Sequence, residues 1–145
     1  HKDIAAALQT RLEEIVLKTI SAFSNASGGS LFMGVDDDLN IVGLENDYKT
    51  LKNQTKDEFE LHLRNLVNNA YGVEFATNNL EILFPIVEDE EICVVNIKKG
   101  LRPLYTEITG KNGEKNKKFF VRSGNSSQEL AIDEAAEYIK NRFKD

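Results

Sequence analysis

Apolar residues recur at three- and four-residue steps through Ile4, Leu8, Leu12, Ile15, Thr19, Ala22, Phe23 and Ala26, the spacing that sets one stripe of an α-helix toward a core. Gly28-Gly29 closes that run, because glycine accepts the left-handed backbone that ends a helix, and residues 30–35 (Ser-Leu-Phe-Met-Gly-Val) change to the pattern of a buried strand. Asp36-Asp37-Asp38-Leu39-Asn40 is a tight-turn sequence, and residues 41–44 (Ile-Val-Gly-Leu) read as the return strand of a hairpin. A second helix starts at Thr55-Lys56-Asp57-Glu58, where Thr55 and Glu58 have capping-box spacing. Phe59, Leu63, Leu66, Val67 and Ala70 give its buried stripe, and Gly72 its stop. His62 falls beside the stripe; with terminal His1 as the other histidine, it reads as a boundary residue and not a ligand.

Residues 80–87 and 92–98 are two β-rich runs joined by the acidic turn Glu88-Asp89-Glu90-Glu91, with Pro85, which has no amide donor, placed at an edge or bulge. Residues 104–109 and 117–122 are two more strands around Gly110-Lys111-Asn112-Gly113, and Ile132, Ala135, Ala136, Ile139 and Phe143 mark a closing helix. These elements predict an α+β or mixed α/β fold: a single domain over residues 1–145, built on one mixed sheet of about six strands with three helices. Strict βαβ alternation is absent, and so are G-x-G-x-x-G and G-x-x-x-x-G-K-[ST]. A dinucleotide or P-loop site is therefore disfavoured.

Composition narrows the class. A chain of 145 residues that is 41% hydrophobic and 29% charged can bury a core of its own. Aliphatic runs such as residues 4–8 and 92–95 are far too short to span a bilayer, so no membrane partner is expected. Cys93 stands alone, which excludes an internal disulfide and suits a reducing cytoplasm; in a strand it reads as a small buried apolar residue. The chain opens on His1 and is read as a fragment of a longer protein.

The formal charge of -6 is unevenly placed. Residues 98–122 hold eight basic side chains (Lys98, Lys99, Arg102, Lys111, Lys115, Lys117, Lys118, Arg122) against Glu107 and Glu114, a net +6 that leaves -12 elsewhere. Such a segment on an acidic body can track phosphates, or it can be a solvated loop. Arg122-Ser123-Gly124-Asn125-Ser126-Ser127, at the end of a strand, would offer a guanidinium, hydroxyls and open backbone amides to phosphate oxygens; a polar turn uses the same letters. Asp36 and Asp37, with Asp38, sit at a strand end where carboxylates can hold Mg²⁺ or Mn²⁺, although an aspartate-rich turn needs no metal.

Two blocks, Ser-Ala-Phe-Ser-Asn-Ala-Ser-Gly-Gly-Ser-Leu-Phe-Met-Gly-Val-Asp-Asp over residues 21–37 and Phe-Val-Arg-Ser-Gly-Asn-Ser-Ser over residues 120–127, together with Ile-Val-Gly-Leu at 41–44, resemble the Schlafen AlbA-like domain. The resemblance implies a mixed α/β nucleic-acid-binding module, DNA ahead of RNA, in prokaryotic proteins that look like transcriptional regulators. The partners it implies are nucleic acid and other domains of a parent chain, with a homodimer compatible. In the nuclease branch of that family two glutamates from a strand before the first helix join the aspartate matching Asp36 to bind metal. That strand has no match here, so the fragment is expected to need no cofactor and to show no activity of its own. Glu13 and Glu14 lie on the helix instead, with Glu14 and Lys18 spaced as salt-bridge partners. The expected function is nucleic-acid binding through Lys98, Lys99, Arg102, Lys111, Lys115, Lys117, Lys118 and Arg122 with Ser123, Gly124, Asn125 and Ser126. The alternatives are a metal-dependent endonuclease, with Mg or Mn on Asp36 and Asp37, and a structural or oligomerisation domain.

Overall fold

The computed structural model describes residues 2–48, 51 and 55–144, with side chains from residue 11 onward except those of 46 and 48. In chain order its elements are α1 (Lys2–Asn25), β1 (Gly29–Met33), α2 (Glu45–Tyr48), α3 (Lys56–Tyr71), α4 (Val73–Asn78), β2 (Leu80–Leu83), β3 (Ile86–Val87), β4 (Glu90–Glu91), β5 (Cys93–Ile97), β6 (Tyr105–Thr109), β7 (Lys115–Ser123), β8 (Ser126–Leu130) and α5 (Ile132–Arg142). The α+β class expected from the sequence is the one observed. The single sheet is not: the strands form three small sheets, ordered β1-β5-β2, β3-β4 and β6-β7-β8. Period-two patterning marks a strand but does not name its neighbour. No helix among the described residues is long and apolar enough to cross a membrane.

The chain gathers into two compact units, the first made of His1–Gly29 with Lys98–Asp145 and the second of Ser30–Ile97. In the first, α1 packs against β6, β7 and β8. Leu12 and Ile15, expected in its buried stripe, are 59% and 46% exposed, and the helix is instead buried at Ile20, Ser21, Ala22, Ser24 and Asn25. The contact is made by small and polar groups that hydrogen-bond to the sheet, which a hydrophobic period does not register. Phe119 and Val121 of β7 meet Ala135 of α5, with Leu130, Tyr138, Ile139 and Phe143 packed around them. Ile132 and Ala136, expected on the core stripe of α5, are exposed.

In the second unit Cys93, Val95 and Ile97 are buried on β5, and Leu80 and Ile82 of β2 lie next to it in antiparallel register. Burial pushes the Cys93 thiol up to about 12, and the Glu60 carboxylate adds to the effect, so the residue is an inert core group. Thr55 caps α3 as expected, its Oγ1 accepting from the Glu58 N–H at 3.2 Å. Gly72 does more than stop the helix. At φ 94 it closes α3 by donating to the Asn68 carbonyl and at once opens α4, an element that the sequence pattern does not predict. The buried stripe of α3 is Leu63, Val67 and Tyr71, while Ala70 is exposed. Pro85 splits the expected strand 80–87 into β2 and β3, and its carbonyl accepts from the Ile92 N–H. Residues 41–44 form no strand: one bridge joins Val35 to Ile41, and the Val42 and Gly43 amides converge on the Gly34 carbonyl. Phe32, expected in a buried strand, is 53% exposed.

Candidate nucleic-acid interface

β7 carries Lys115, Lys117, Lys118, Arg122 and Ser123 of the predicted interface, and its alternation decides where each side chain goes. Phe119 and Val121 face α5. Phe120 faces α1, whose Lys18 ammonium stands 5.6 Å from the ring centroid. Lys115 and Lys117 therefore share the Phe119 face, in a stretch where residues 111–117 are all exposed. Opposite them in register are Thr109 and Glu107, and Lys115 reaches Glu107 at 3.7 Å, a solvent-exposed pair of little energetic weight. Lys111 sits at the tip of the β6-β7 hairpin, where the Asn112 N–H donates to the Glu114 carboxylate and the Gly110 N–H to the Glu114 carbonyl. Lys98, Lys99 and Arg102 are exposed in the segment between β5 and β6.

Lys118 and Arg122 lie on the other face, beside Phe120. Arg122 does not point freely into solvent. Its guanidinium is 4.7 Å from the Phe23 ring centroid, Nη1 donates to Ser127 Oγ at 3.1 Å, and Nε is buried with no hydrogen-bond partner among the described residues. Glu129, which could have paired with Arg122, pairs with Lys118 at 3.3 Å. The phosphate-binding loop expected over Arg122–Ser127 is not a loop at all. Ser123 and Ser126 pair across a two-residue turn of Gly124 and Asn125, and the chain continues as β8. Gly124 at φ 60 in the first central position is the signature of a type II′ hairpin turn, hidden in the sequence by its polar neighbours.

Three residues that sequence reasoning passed over organise this site. The fully buried Asn25 side chain donates to the Leu104 and Phe120 carbonyls and accepts from the Leu104 N–H, each at 2.9 Å. Tyr138 donates to the Asn25 carbonyl at 2.6 Å, and Arg142 donates to the carbonyls of Ala26, Ser24 and Gly100. The end of α1 is thus clasped to β6, β7 and α5. In the sequence Asn25 stands as one of several polar residues, with Ser21 and Ser24, near the end of a helical run, and its hydrogen-bond partners lie 79 and 95 residues away.

Asp36 is exposed and organises its own turn. Oδ1 accepts from the Asp38 and Asn40 N–H groups at 2.9 Å, and Oδ2 from the Asn40 amide at 3.3 Å. These bonds, the Asn40 backbone donor foremost, hold its carboxyl below the usual carboxylate range.

Sequence comparison decides the family, since the family model "Schlafen, AlbA_2" matches residues 3–131. The chain belongs to the Schlafen AlbA_2 family. No curated protein matches it. Among solved structures, the DIP2311 protein of Corynebacterium diphtheriae is similar in fold at a TM-score of 0.59 and 15% identity, over 93% of this chain and 23% of that one. This Schlafen AlbA_2 domain therefore spans about a quarter of that protein's length, and the likeness bears on architecture alone.

Schlafen AlbA_2 membership raises metal binding, and the residues present do not fit it. Both Asp36 oxygens are committed to the turn, Asp37 adds one exposed carboxylate, and no group of three His, Cys, Asp or Glu side chains that could hold an ion occurs among the described residues. Glu14, the other acid considered, accepts from the Thr109 N–H at 3.1 Å and Oγ1 at 2.6 Å and so ties α1 to β6; its expected partner Lys18 lies over Phe120.

Proposed function

We propose that this Schlafen AlbA_2 domain is a nucleic-acid-binding module of a larger, transcriptional-regulator-like protein and that its β6-β7 hairpin, with Lys98, Lys99 and Arg102, makes the phosphate contacts. The observation that carries this reading is the segregation of charge. The unit containing the hairpin has fourteen basic and ten acidic residues, net +4, whereas Ser30–Ile97 has four basic and fourteen acidic, net -10. Neutral partners would not require such a division, and a polyanion approaching the basic unit gains from it. Exposed Lys111, Lys115 and Lys117 sit at and beside a narrow hairpin tip, and a two-stranded ribbon is a shape that nucleic-acid grooves admit. The DNA preference and the regulatory role come from the family resemblance.

The test is fluorescence anisotropy with labelled DNA and RNA of one sequence over a range of salt. Binding should weaken steeply with salt, and replacing Lys111, Lys115 and Lys117 together by Ala should reduce the log–log slope by about 1 for each phosphate that is no longer neutralised. An unchanged slope in the triple variant, or no binding to either polymer at low salt, refutes the reading.

A further inference from the structure

The α1-facing side of the β7-β8 hairpin holds more cationic donors than its own acids satisfy. Phe120, 5% exposed, is the centre of the arrangement. Lys118 and Arg122 flank it two residues away on the same face of β7, and Glu129 and Ser127 stand opposite Phe120 and Arg122 on β8. From α1, Lys18 places its ammonium over the Phe120 ring. That lysine has a fixed base. Ser21 Oγ donates to the Lys18 carbonyl at 2.9 Å and accepts from Thr106 Oγ1 of β6 at 2.7 Å, so the helix turn carrying Lys18 is tied to the sheet. These three cations share the face with one β8 carboxylate, that of Glu129, which pairs with Lys118, while Lys18 lies over Phe120 and Arg122 over Phe23. Arg122 keeps one donor, Nε, unmatched and buried while Phe23 holds its guanidinium plane in place. A buried donor without an acceptor is costly, and an acceptor with several oxygens would relieve it.

We infer that Lys18, Lys118, Arg122 and Ser127 form a phosphate subsite and that Glu129 occupies it in the free protein as a tethered substitute anion, which an incoming phosphate displaces from Lys118. The inference rests on the nucleic-acid reading for the source of the phosphate, but the subsite itself requires only a phosphate anion. It brings in Lys18, far from the basic segment in sequence, and gives Glu129 the role of a competitor that sets affinity.

Two measurements on the full chain test it. In the first, inorganic pyrophosphate is titrated while the Arg122 Nε–H and Ser127 amide signals are followed by NMR; both should shift, and at lower pyrophosphate concentration in Glu129→Gln. In the second, nucleic-acid affinity should rise about fivefold in Glu129→Gln and fall about fivefold in Lys18→Gln, changes of about 1 kcal/mol, with Lys18→Arg restoring binding. Glu137→Gln, an exposed acid on α5, controls for net charge and should change affinity by much less. Pyrophosphate shifts without binding of either polymer would leave the subsite standing for free phosphate compounds and refute the nucleic-acid reading. Polymer binding that depends on Lys111, Lys115 and Lys117 but ignores Lys18→Gln and Glu129→Gln, with no pyrophosphate shift, would overturn the subsite and leave the reading intact. An equal gain from Glu137→Gln would also overturn it.

Discussion

Asn25 shows how much one side chain can hold. Its amide satisfies the Leu104 N–H and the Leu104 and Phe120 carbonyls in a place that water does not reach. Asn25→Ala would leave all of these unmatched; at about 1–3 kcal/mol for a buried group deprived of its partner, a loss of about 3 kcal/mol is expected. For a domain of this size that is a drop of roughly 10 °C in Tm, readable by circular dichroism, and a change of less than roughly 2 °C would contradict the clasp. Asp36 makes a pH-dependent contribution. Its folded-state pKa lies below the ordinary 3.8, so its charged form stabilises the fold above that pH, and the benefit disappears as pH falls through the lower folded value. Asp36→Asn should therefore melt below the parent at neutral pH, and the gap should narrow in acid as pH falls through the lowered folded value and the parent carboxyl takes up its proton. A gap of the same size at neutral and acid pH would mean that the carboxylate charge plays no part in the turn.

Among the elements, the β3-β4 hairpin carries visible strain. Glu88 and Asp89 form its two-residue turn at φ 52 and 64, where side chains with a Cβ are disfavoured and Asn-Gly is preferred. The double change Glu88→Asn, Asp89→Gly should add about 1 kcal/mol, measured as a shift in denaturant midpoint at constant slope. The acidic run that marked this turn in the sequence is thus a poor fit to its backbone, and the hairpin was legible only from the flanking β-rich runs. Helices declare themselves better: α3 and its Thr55 cap follow from spacing, because helix partners lie within the same few residues. Strand partners lie far apart, so the division into three sheets, the short β3 and β4, and the pairing of Lys118 with Glu129 depend on register that no local pattern states. The lysines of β7 were readable as charge. Their distribution over two faces, with Lys18 joining one of them, needed the alignment of β7 with α1. β8 was missed because Ser126-Ser127-Gln128-Glu129 lacks the apolar alternation of a strand; Leu130, packed against α5, is its one large apolar residue.

At the scale of the molecule, the net -10 of Ser30–Ile97 repels the polyanion that the other unit would attract. Neutralising Asp37, Asp38 and Glu88 together (to Asn, Asn and Gln) should raise the association rate with nucleic acid several-fold in about 20 mM salt and leave it unchanged in about 0.5 M, where the screening length falls to a few ångströms. Stopped-flow mixing at the two salt concentrations checks this, and a rate gain that survives high salt would point to a local contact instead. The clasp at the end of α1 also bears on how relatives of this chain are to be compared. Residues 21–29 belong to the 21–37 block that resembles the family, and carbonyls and an amide of this segment hold β6, β7 and α5 in place. These bonds serve folding, whatever the domain binds. Two relatives alike over that block would share the clasp without having to share a ligand, so the block compares architecture, and the proposed phosphate contacts at Lys18, Glu129 and the tip of the β6-β7 hairpin are the positions to compare for ligand choice.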